Sequence, residues 1–464
     1  MKVMNATGRR RVLVVAFDFP PSLEIGAHAC RQLTRHLPDS GWEPVVLTVQ
    51  DRFSVNPEAE GRYDFPGIIV RTPALPHPLT LWAALRRYVD RTAADRSTVP
   101  YTDGAPRKGA AATLKRWVLS LLWVPDVQTG WWPVAVIAGL WAARRHRIGH
   151  VLSSGPRWTN HLVGLAVATL TRRPWTVHFR DPWLGIPQWK PVSGLSLAME
   201  AALEAVVIRR ATTVVCVTER HRQMLLERYR TLPAPKFTTI PNGFDDDEWL
   251  ALPFGRSVKD EGRFVIAYVG SFYQARDPKP LFSAIRRLLD EGVITDNSIR
   301  IQLVGWCDVA DGLPVRDAVR RARLESIVDF TGALPRRQAL AHMAEADLLL
   351  LLAEEQPFQI PGKTYEYLRA GRPILALTKP GALADLLDGT RGVAVVDPGD
   401  VEGIAAVIGR HLDRWHRAQP AECPDSDFVA RFDRRRLAGE LAAVLGSDRH
   451  PSTVRQASMA MSRR

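Results

Sequence analysis

The chain has 464 residues, of which 46% are apolar and 24% charged, which excludes a disordered or fibrous protein and suits a globular protein of about two domains. The net charge of +13 lies in one half: residues 1–240 hold 32 Lys and Arg against 17 Asp and Glu, and residues 241–464 hold 30 against 32. The four cysteines are scattered without a CxxC pair, which argues against zinc and disulfides and favours a reducing cytoplasm.

The N-terminal half predicts strands that alternate with helices. Its first apolar run, VLVVAF, follows basic residues as in a signal peptide, but it has six residues and ends at Asp18, so we interpret it as a buried strand. A polar, Gly- and Pro-rich segment at 92–110 predicts a mobile loop. The predicted strands are 11–17, 41–49, 67–73, 150–156, 174–183 with its following loop, 212–218 and 237–245, and the predicted helices include 27–37 and 159–170.

The C-terminal half repeats this alternation, with predicted strands at 264–270, 299–305, 328–332, 347–353 and 392–400. An amphipathic helix is predicted at 427–445, before a polar tail predicted to be disordered. Alternating strands and helices predict an α/β fold of two doubly wound, Rossmann-like sheets, with ligands at the carboxyl ends of the strands. We therefore expect an N-terminal domain over 1–245, a second domain over 246–426, a C-terminal helix over 427–446 that crosses back to the first domain, and a tail over 447–464.

The longest apolar stretch, WWPVAVIAGLWAA at 131–143, is too short to span a bilayer, which needs about 20 residues. Residues 104–199 around it hold 12 basic residues against only Asp126 and Asp181. Two interpretations stay open for this stretch: a helix at an anionic membrane interface, or an ordinary buried helix with some exposed tryptophans. The basic half favours an anionic partner, whether a phosphorylated ligand, a lipid or a nucleic acid.

The stretch PGKTYEYLRAGRPILAL at 361–377 predicts a loop, a short helix and a strand. Lys363 and Glu366 are three positions apart and share a helix face, as in a surface ion pair or a ligand site. A second helix start follows Gly270 and Arg276. Two cations beside two helix N-termini suit a diphosphate, because those N–H groups and their positive potential attract anions. A carboxylate such as Glu366 can accept hydrogen bonds from the two adjacent hydroxyls of a ribose.

Up to about residue 446, the chain resembles a family 4 glycosyltransferase of the GT-B fold, as found in bacterial surface-glycan synthesis. The resemblance rests on the order and spacing of several stretches rather than on one of them. They are DFPPSLEIGAH, GWEPVVLTV, SSGPRW, HFRDPW and IPNGFDDDEW in the first half, and YVGSFYQARDP, LVG, VDFTGALPR and PGKTYEYLRAGRPILAL in the second.

The resemblance implies a nucleotide-diphosphate-sugar donor held by the C-terminal domain and an acceptor held by the N-terminal one. It assigns the donor-binding residues as Gly26, Gly270, Arg276, Leu334, Lys363, Thr364 and Glu366. Gly26 is expected in the loop after the first strand, where it would approach the diphosphate. It also implies a catalytic group at His178, on the loop that opens HFRDPW, with Asp181 orienting Arg180 or the acceptor hydroxyl. From the residues alone, a buried structural histidine and a turn aspartate are the competing interpretations of these two positions. Retention of the anomeric configuration is implied as well.

One position departs from the family pattern. The family often carries two glutamates eight positions apart, the second matching Glu366, and Phe358 stands where the first is expected. Glu354 and Glu355 lie nearby but out of register, so either would need a rearranged loop to take its place. The nucleotide is therefore better predicted than the sugar.

We expect no metal and no cofactor. The run Asp245–Asp247 suggests paired metal ligands, but Asp245 and Glu248 have the spacing of a capping box at a helix N-terminus. We prefer the capping interpretation. Fixed cations and helix ends can stabilise a leaving diphosphate without a metal.

Two other functions stay open: an epimerase or hydrolase of nucleotide sugars on the same fold, and a non-catalytic protein that binds nucleic acid or other anions. No nucleic-acid-binding motif is present, so nucleic acid is not an expected partner. No G-x-G-x-x-G follows the first strand of either half, which disfavours a dehydrogenase. We expect a lipid-linked or surface-glycan acceptor, reached from the cytoplasm at the inner face of the membrane; the sequence leaves the oligomeric state open.

Overall fold

The computed structural model describes residues 10–22, 24–53, 65–77, 123–186, 193–252, 262–272 and 276–447. The predicted loop at 92–110 and residues 448–464 of the predicted tail lie outside these ranges. The chain divides into two compact units. The first comprises Met1–Cys216, Leu226–Thr238 and Ala438–Arg464, and the second comprises Val217–Leu225 and Thr239–Leu437.

The first unit is built on a seven-stranded sheet in the order β3-β2-β1-β4-β5-β6-β7. Neighbouring strands from β3 to β6 pair in parallel. The strands are β1 (Arg10–Val15), β2 (Trp42–Val49), β3 (Ile68–Thr72), β4 (His150–Gly155), β5 (Trp175–Phe179), β6 (Thr213–Cys216) and β7 (Phe237–Thr239). The helices α1 (Ile25–Arg35), α2 (Trp132–Arg145), α3 (Thr159–Thr171) and α4 (Gly194–Arg210) belong to this unit, and α5 (Glu219–Arg228) spans its boundary with the second unit.

The second unit repeats the arrangement with a six-stranded sheet in the order β12-β9-β8-β13-β14-β15. Its strands are β8 (Phe264–Val269), β9 (Ile299–Val304), β12 (Val328–Gly332), β13 (Leu348–Leu352), β14 (Ile374–Leu377) and β15 (Val393–Val396), with a small antiparallel pair of β10 (Val309–Ala310) and β11 (Leu313–Pro314). The helices are α6 (Asp246–Leu250), α7 (Lys279–Asp290), α8 (Val315–Arg321), α9 (Arg336–Glu345), α10 (Lys363–Ala370), α11 (Ala382–Leu387), α12 (Val401–His416) and α13 (Ser426–Ala430); α14 (Arg434–Gly446) begins here and ends in the first unit.

Both sheets are buried on both faces, which explains their continuous apolar strands. Leu348–Leu352 form β13, and all five side chains are buried. Leu348, Leu350 and Leu352 pack in the core on one face, and Leu349 and Leu351 pack in the core on the other. Parallel sheets covered by helices on both sides require such strands, so the predicted α/β fold is confirmed.

The strand order reverses at one place in each sheet, between β1 and β4 and between β8 and β13. Loops that leave the carboxyl ends of the two strands there diverge to opposite faces and leave a crevice, which is where open α/β sheets bind ligands. The segments after these four strands are therefore the places to look for a site.

The predicted helix at 427–445 is wrong in one respect, because it is two helices, α13 and α14. Between them, Asp433 forms an isolated parallel β-bridge with Phe244. The Phe244 N–H donates to the Phe432 carbonyl at 3.1 Å, and the Arg434 N–H donates to the Phe244 carbonyl at 2.9 Å. Gly243 permits this approach, since a Cβ there would lie 2.0 Å from the Phe432 oxygen. A contact between residues distant in sequence thus interrupts an otherwise helical pattern.

None of the helices in the described ranges is long and apolar enough to cross a membrane.

Tyr367 ties α10 to the end of β8, since its hydroxyl accepts a hydrogen bond from the Val269 N–H at 2.8 Å. Tyr367→Phe leaves that buried N–H without its acceptor, and we expect it to lower the free energy of unfolding by about 1–3 kcal/mol. Tyr365→Phe is the matched control: its hydroxyl is equally buried but has no hydrogen-bond partner among the described residues, so its loss should change stability by less than about 0.5 kcal/mol. Urea unfolding measures both; equal effects would contradict the assignment.

Candidate functional site

Lys363 opens α10, after the loop that leaves β13 at the reversal point of the second sheet. Its Nζ is buried 3.7 Å from the centroid of the Tyr268 ring, and no described residue accepts a hydrogen bond from it. Burial lowers the pKa of Lys363 well below its ordinary value, and the charge of Arg276 lowers it further. A buried ammonium with a ring below it and no acceptor is suited to bind an anion.

Gly270 follows β8 on the other side of the reversal point and leaves room for that ammonium. A Cβ at Gly270 would lie 2.5 Å from the Lys363 Nζ, and its φ of +140° is rare for other residues. The Cys307 thiol donates to the Gly270 carbonyl at 3.2 Å, and burial raises the pKa of Cys307 to about 12, so it is a neutral donor. A side chain at position 270 would therefore clash with Lys363, which explains the glycine at this point of the site.

Arg276 lies in the same place, although 87 residues separate it from Lys363 in sequence. It is buried, and its Nη1 donates to the Ser271 carbonyl at 3.1 Å. Its charge lowers the pKa of Lys363, so the two side chains act on the same region of the site. The structure thus brings together the two cations that the sequence predicted from separate segments.

Thr364 and Glu366 lie in the first turn of α10. Thr364 is fully buried, and its Oγ1 has no hydrogen-bond partner among the described residues. Glu366 lies closer to solvent, and its Oε1 accepts a hydrogen bond from Arg336 Nη2 at 2.5 Å. Leu334 is half-buried after β12, two residues before Arg336, and packs against the core on this face of the sheet.

The loop before α10 holds the position where the family pattern expects a glutamate. The Phe358 carbonyl accepts a hydrogen bond from Thr218 Oγ1 at 2.6 Å, and the Pro357 carbonyl accepts one from the Ala382 N–H. Glu354 and Glu355 both approach the Lys379 Nζ, at 3.1 and 3.9 Å. These bonds hold the loop, so neither glutamate takes the place of Phe358 in this conformation.

The aspartates at 245–247 are used in packing. Asp245 is the N-cap of α6, with its side chain accepting from the Asp247 N–H at 3.3 Å, which confirms the predicted helix start. Asp246 accepts from Arg369 at 2.5 Å, and Asp247 pairs with Arg435 at 3.4 Å.

In the first unit, His178 is the fourth residue of β5 rather than part of the loop after it. The ring is buried, and its Nδ1 lies 3.1 Å from the Ser154 Oγ on the neighbouring strand. Asp181 is half-buried in the loop that follows β5. Their predicted catalytic roles stay predictions.

Gly26 lies in the first turn of α1, not in a loop, and faces Arg180. A Cβ at Gly26 would lie 2.8 Å from the Arg180 Nη2, and Arg180 Nε donates to the Gly155 carbonyl at 2.6 Å. The glycine therefore lets a guanidinium pack against the start of α1. Its predicted approach to a diphosphate stays a prediction.

Comparison with solved structures shows which fold the two sheets form. The Anabaena Alr3699/HepE structure in complex with UDP aligns with a TM-score of 0.59 at 16% identity, over 94% of this chain and all of that one. Sucrose-phosphate synthase from Thermosynechococcus elongatus aligns with a TM-score of 0.58 at 15% identity, over 94% and 95%. A glycosyltransferase from Rickettsia africae aligns with a TM-score of 0.54 at 12% identity, over 94% of each chain.

Two family models match the sequence. One is described as Glycosyltransferase Family 4 and matches residues 99–248; the other is described as Glycosyl transferases group 1 and matches residues 263–414. Together they cover about two thirds of the chain. This chain is a GT-B glycosyltransferase. No curated protein matched its sequence.

The sequence analysis did not predict two ion-pair clusters of this glycosyltransferase. In the first unit, Asp18 follows β1 and Arg157 follows β4, and the Arg157 Nε lies 2.8 Å from the Asp18 carboxylate at the reversal point. In the second unit, Arg336 bridges Glu248 and Glu366. The position of Asp18 directly after the first strand was an available signal. Nothing in the sequence marked Arg336, because its partners lie 88 and 30 residues away.

A double-mutant cycle tests the contact between Gly270 and Lys363. Gly270→Ala should lower the free energy of unfolding by more than about 2 kcal/mol, since the methyl group meets the Lys363 ammonium and the positive φ adds strain. In a Lys363→Ala background only the strain remains, so the loss should be smaller by at least about 1 kcal/mol.

Gly262→Ala is the control, because Gly262 has a φ of +95° and nothing within 4 Å of its Cβ position. Its cost should be the same with and without Lys363. Additive effects of Gly270→Ala and Lys363→Ala in urea unfolding would contradict the contact.

Proposed function

We propose that this glycosyltransferase transfers a sugar from a nucleoside-diphosphate-sugar to a hydroxyl acceptor, with retention of configuration and without a metal ion. The observation that carries the proposal is the buried Lys363 ammonium, without an acceptor among the described residues, beside Arg276 and the first turn of α10. A diphosphate supplies the anionic oxygens that such a group lacks, and it does so at the reversal point where this fold binds ligands.

The site favours breakage of the bond between the sugar C1 and the diphosphate oxygen. Negative charge grows on that oxygen as the bond breaks, and Lys363, Arg276 and the N–H groups at the start of α10 are fixed in place to stabilise it. The acceptor oxygen then bonds to C1, and its proton passes to the departing diphosphate oxygen. His178 and Asp181 are the proposed residues on the acceptor side.

Support for the nucleotide comes from similar structures. The Anabaena protein has been solved with UDP, with UDP and glucose, and with UDP-glucose. UDP-sugars are therefore the first donors to test, and Glu366 is the proposed partner of the ribose hydroxyls. Phe358 gives the sugar-facing loop an apolar residue where the family pattern has an acid, so we make no proposal for the sugar.

Lys363 gives a direct test. A panel of UDP-, GDP- and ADP-sugars is incubated with the native protein, and release of nucleoside diphosphate and thermal stabilisation are measured. Lys363→Met, which keeps the length of the side chain but not the charge, should weaken nucleoside diphosphate binding about ten- to a hundredfold. Equal thermal stabilisation of both proteins would contradict the site. Epimerised sugar formed without an acceptor would instead indicate an epimerase.

The lowered pKa of Lys363 predicts that the affinity for a nucleoside diphosphate depends on pH. In the free protein the pKa of Lys363 is lowered, and a bound diphosphate stabilises its charged form, so binding takes up a proton. Affinity should therefore fall as the pH rises above the lowered pKa of Lys363 toward the ordinary range of a lysine, measured at pH values above the titration of the terminal phosphate. Calorimetry in buffers of different ionisation enthalpy measures the uptake. Lys363→Met should bind weakly with a flat pH profile; a flat profile in the native protein would contradict the mechanism.

We further propose that the first unit binds an anionic membrane surface, where a lipid-linked or surface-glycan acceptor is reached. An apolar groove of about 480 Å³ lies between α2, α3 and α4, and it is lined chiefly by Trp132, Leu162, Leu165, Leu170 and Val206. Leu170 is 65% exposed. Partial insertion of such a surface into the headgroup region would remove this apolar area from water.

The charges around the groove favour an anionic lipid over a neutral one. Arg210 lines the groove, and Arg172 directly follows α3 beside Leu170. Neither guanidinium forms an ion pair with any residue in the described ranges. Each arginine near an anionic bilayer surface contributes about 1 kcal/mol of attraction.

Vesicle sedimentation tests this surface. The native protein should bind vesicles that contain anionic phosphatidylglycerol and not those of phosphatidylcholine alone. Leu170→Glu should weaken that binding at least about tenfold, because it places a charge in the inserted face. Leu250→Glu is the matched control, since Leu250 lies in the second unit and is 64% exposed. No binding to anionic vesicles, or equal loss in both variants, would overturn the proposal.

A further inference from the structure

Three helices of the second unit begin around one guanidinium. Arg336, the first residue of α9, donates from Nε and Nη2 to the Glu248 Oε2 of α6, at 2.9 and 2.8 Å. The same Nη2 donates to the Glu366 Oε1 of α10 at 2.5 Å. Both carboxylates are more enclosed than the arginine, whose side chain is 38% exposed against 17% and 14%.

The bridge occupies only one oxygen of Glu366. Within the described residues, the Oε2 of Glu366 has no hydrogen-bond partner, while Oε1 is held by Arg336. A glutamate has three side-chain torsions and is mobile on a helix surface unless something fixes it. The bond to Oε1 fixes the carboxylate and keeps the second oxygen open to a ligand.

Arg336 is itself fixed from the other side. Glu248 accepts two of its N–H groups, and α6 is tied to α10 by a second ion pair between Asp246 and Arg369 at 2.5 Å. Burial lowers the pKa of Arg336, but the two carboxylates outweigh burial and raise that pKa above its usual value, so the arginine stays charged. The cluster carries one positive and two negative charges, and this leaves Glu366 a strong acceptor.

We propose that Arg336, anchored by Glu248, is a positioning residue that presents the free oxygen of Glu366 to the ribose hydroxyls of the nucleotide. This inference rests on the proposed function, since it requires that a nucleoside diphosphate binds beside Lys363. A planar guanidinium can bridge two carboxylates, whereas the single ammonium of a lysine cannot reproduce the same fork. Leu334, two residues earlier in the loop before α9, would place the base next to the same bridge.

A competing possibility predicts the opposite effect of Arg336 on nucleotide binding. If the arginine bond had to break before ribose could bind, removal of Arg336 would strengthen nucleotide binding. The guanidinium held by two carboxylates and the Oε2 without a partner among the described residues favour positioning, because ribose can reach Glu366 without displacing Arg336.

The test compares a nucleotide that has ribose hydroxyls with one that lacks them. UDP, GDP and ADP are titrated into the native protein by calorimetry, and the one that binds most tightly is used with its 2′,3′-dideoxy form. Arg336→Gln should weaken binding of the ribose nucleotide about tenfold and leave binding of the dideoxy nucleotide unchanged within about twofold. In a Glu366→Gln background, Arg336→Gln should have no further effect.

Three variants complete the design. Arg337→Gln removes the same charge from the next residue, whose Nη2 donates to the Ala251 carbonyl at 2.8 Å, and it should change neither affinity. Glu248→Gln should weaken only the ribose nucleotide, because it loosens the anchor. Arg336→Lys should restore only part of the affinity. Each variant is checked by thermal unfolding so that misfolding is recognised.

Every outcome decides between the alternatives. Equal weakening of both nucleotides by Arg336→Gln would show a role in the fold or in another contact, and unchanged or tighter ribose binding would show that Arg336 competes with the ribose; either overturns the proposal. If no nucleoside diphosphate binds the native protein, the proposed function itself fails, and this result is distinct because it appears before any variant is made.

Discussion

The candidate site of the second unit is built around one buried lysine amine. Lys363 lies over the ring of Tyr268, faces Gly270 and has no acceptor among the described residues. A buried cation is costly unless something compensates it, so the surrounding structure must hold it there. Tyr367 fixes α10 to the end of β8, and the absence of a side chain at Gly270 leaves space for the Lys363 Nζ, so the position of this amine is set before any ligand arrives.

The reversal of strand order explains why these groups meet. Gly270 follows β8 and Lys363 follows β13, the two strands on either side of the reversal, and α10 starts at the same edge. The first unit has the same strand order, but there Asp18 and Arg157 pair with each other at the equivalent edge. One fold thus carries two kinds of site: a lysine amine without an acceptor among the described residues in the second unit, and an ion pair in the first.

Much of the architecture was predictable because the periodicity of the sequence is simple. Short, continuous apolar runs such as FVIAYV and LLLLL are typical of strands buried on both faces, and the structure places them there. The final helix was not predicted correctly, because the bridge between Phe244 and Asp433 interrupts it and those residues are far apart in sequence. Likewise, the histidine expected in a loop lies inside β5 with Ser154 as its partner.

The sequence by itself determined the α/β fold, the two-part organisation and the identities of Lys363, Arg276 and Glu366 as candidate ligands, because helix starts and strand ends leave local patterns in the chain. Only the tertiary structure decided that the charge of Arg276 acts on Lys363, that Glu354 and Glu355 pair with Lys379, and that Arg336 bridges Glu248 and Glu366. Such contacts join segments far apart in sequence, and no local pattern encodes which side chains will share a space once the sheet has formed.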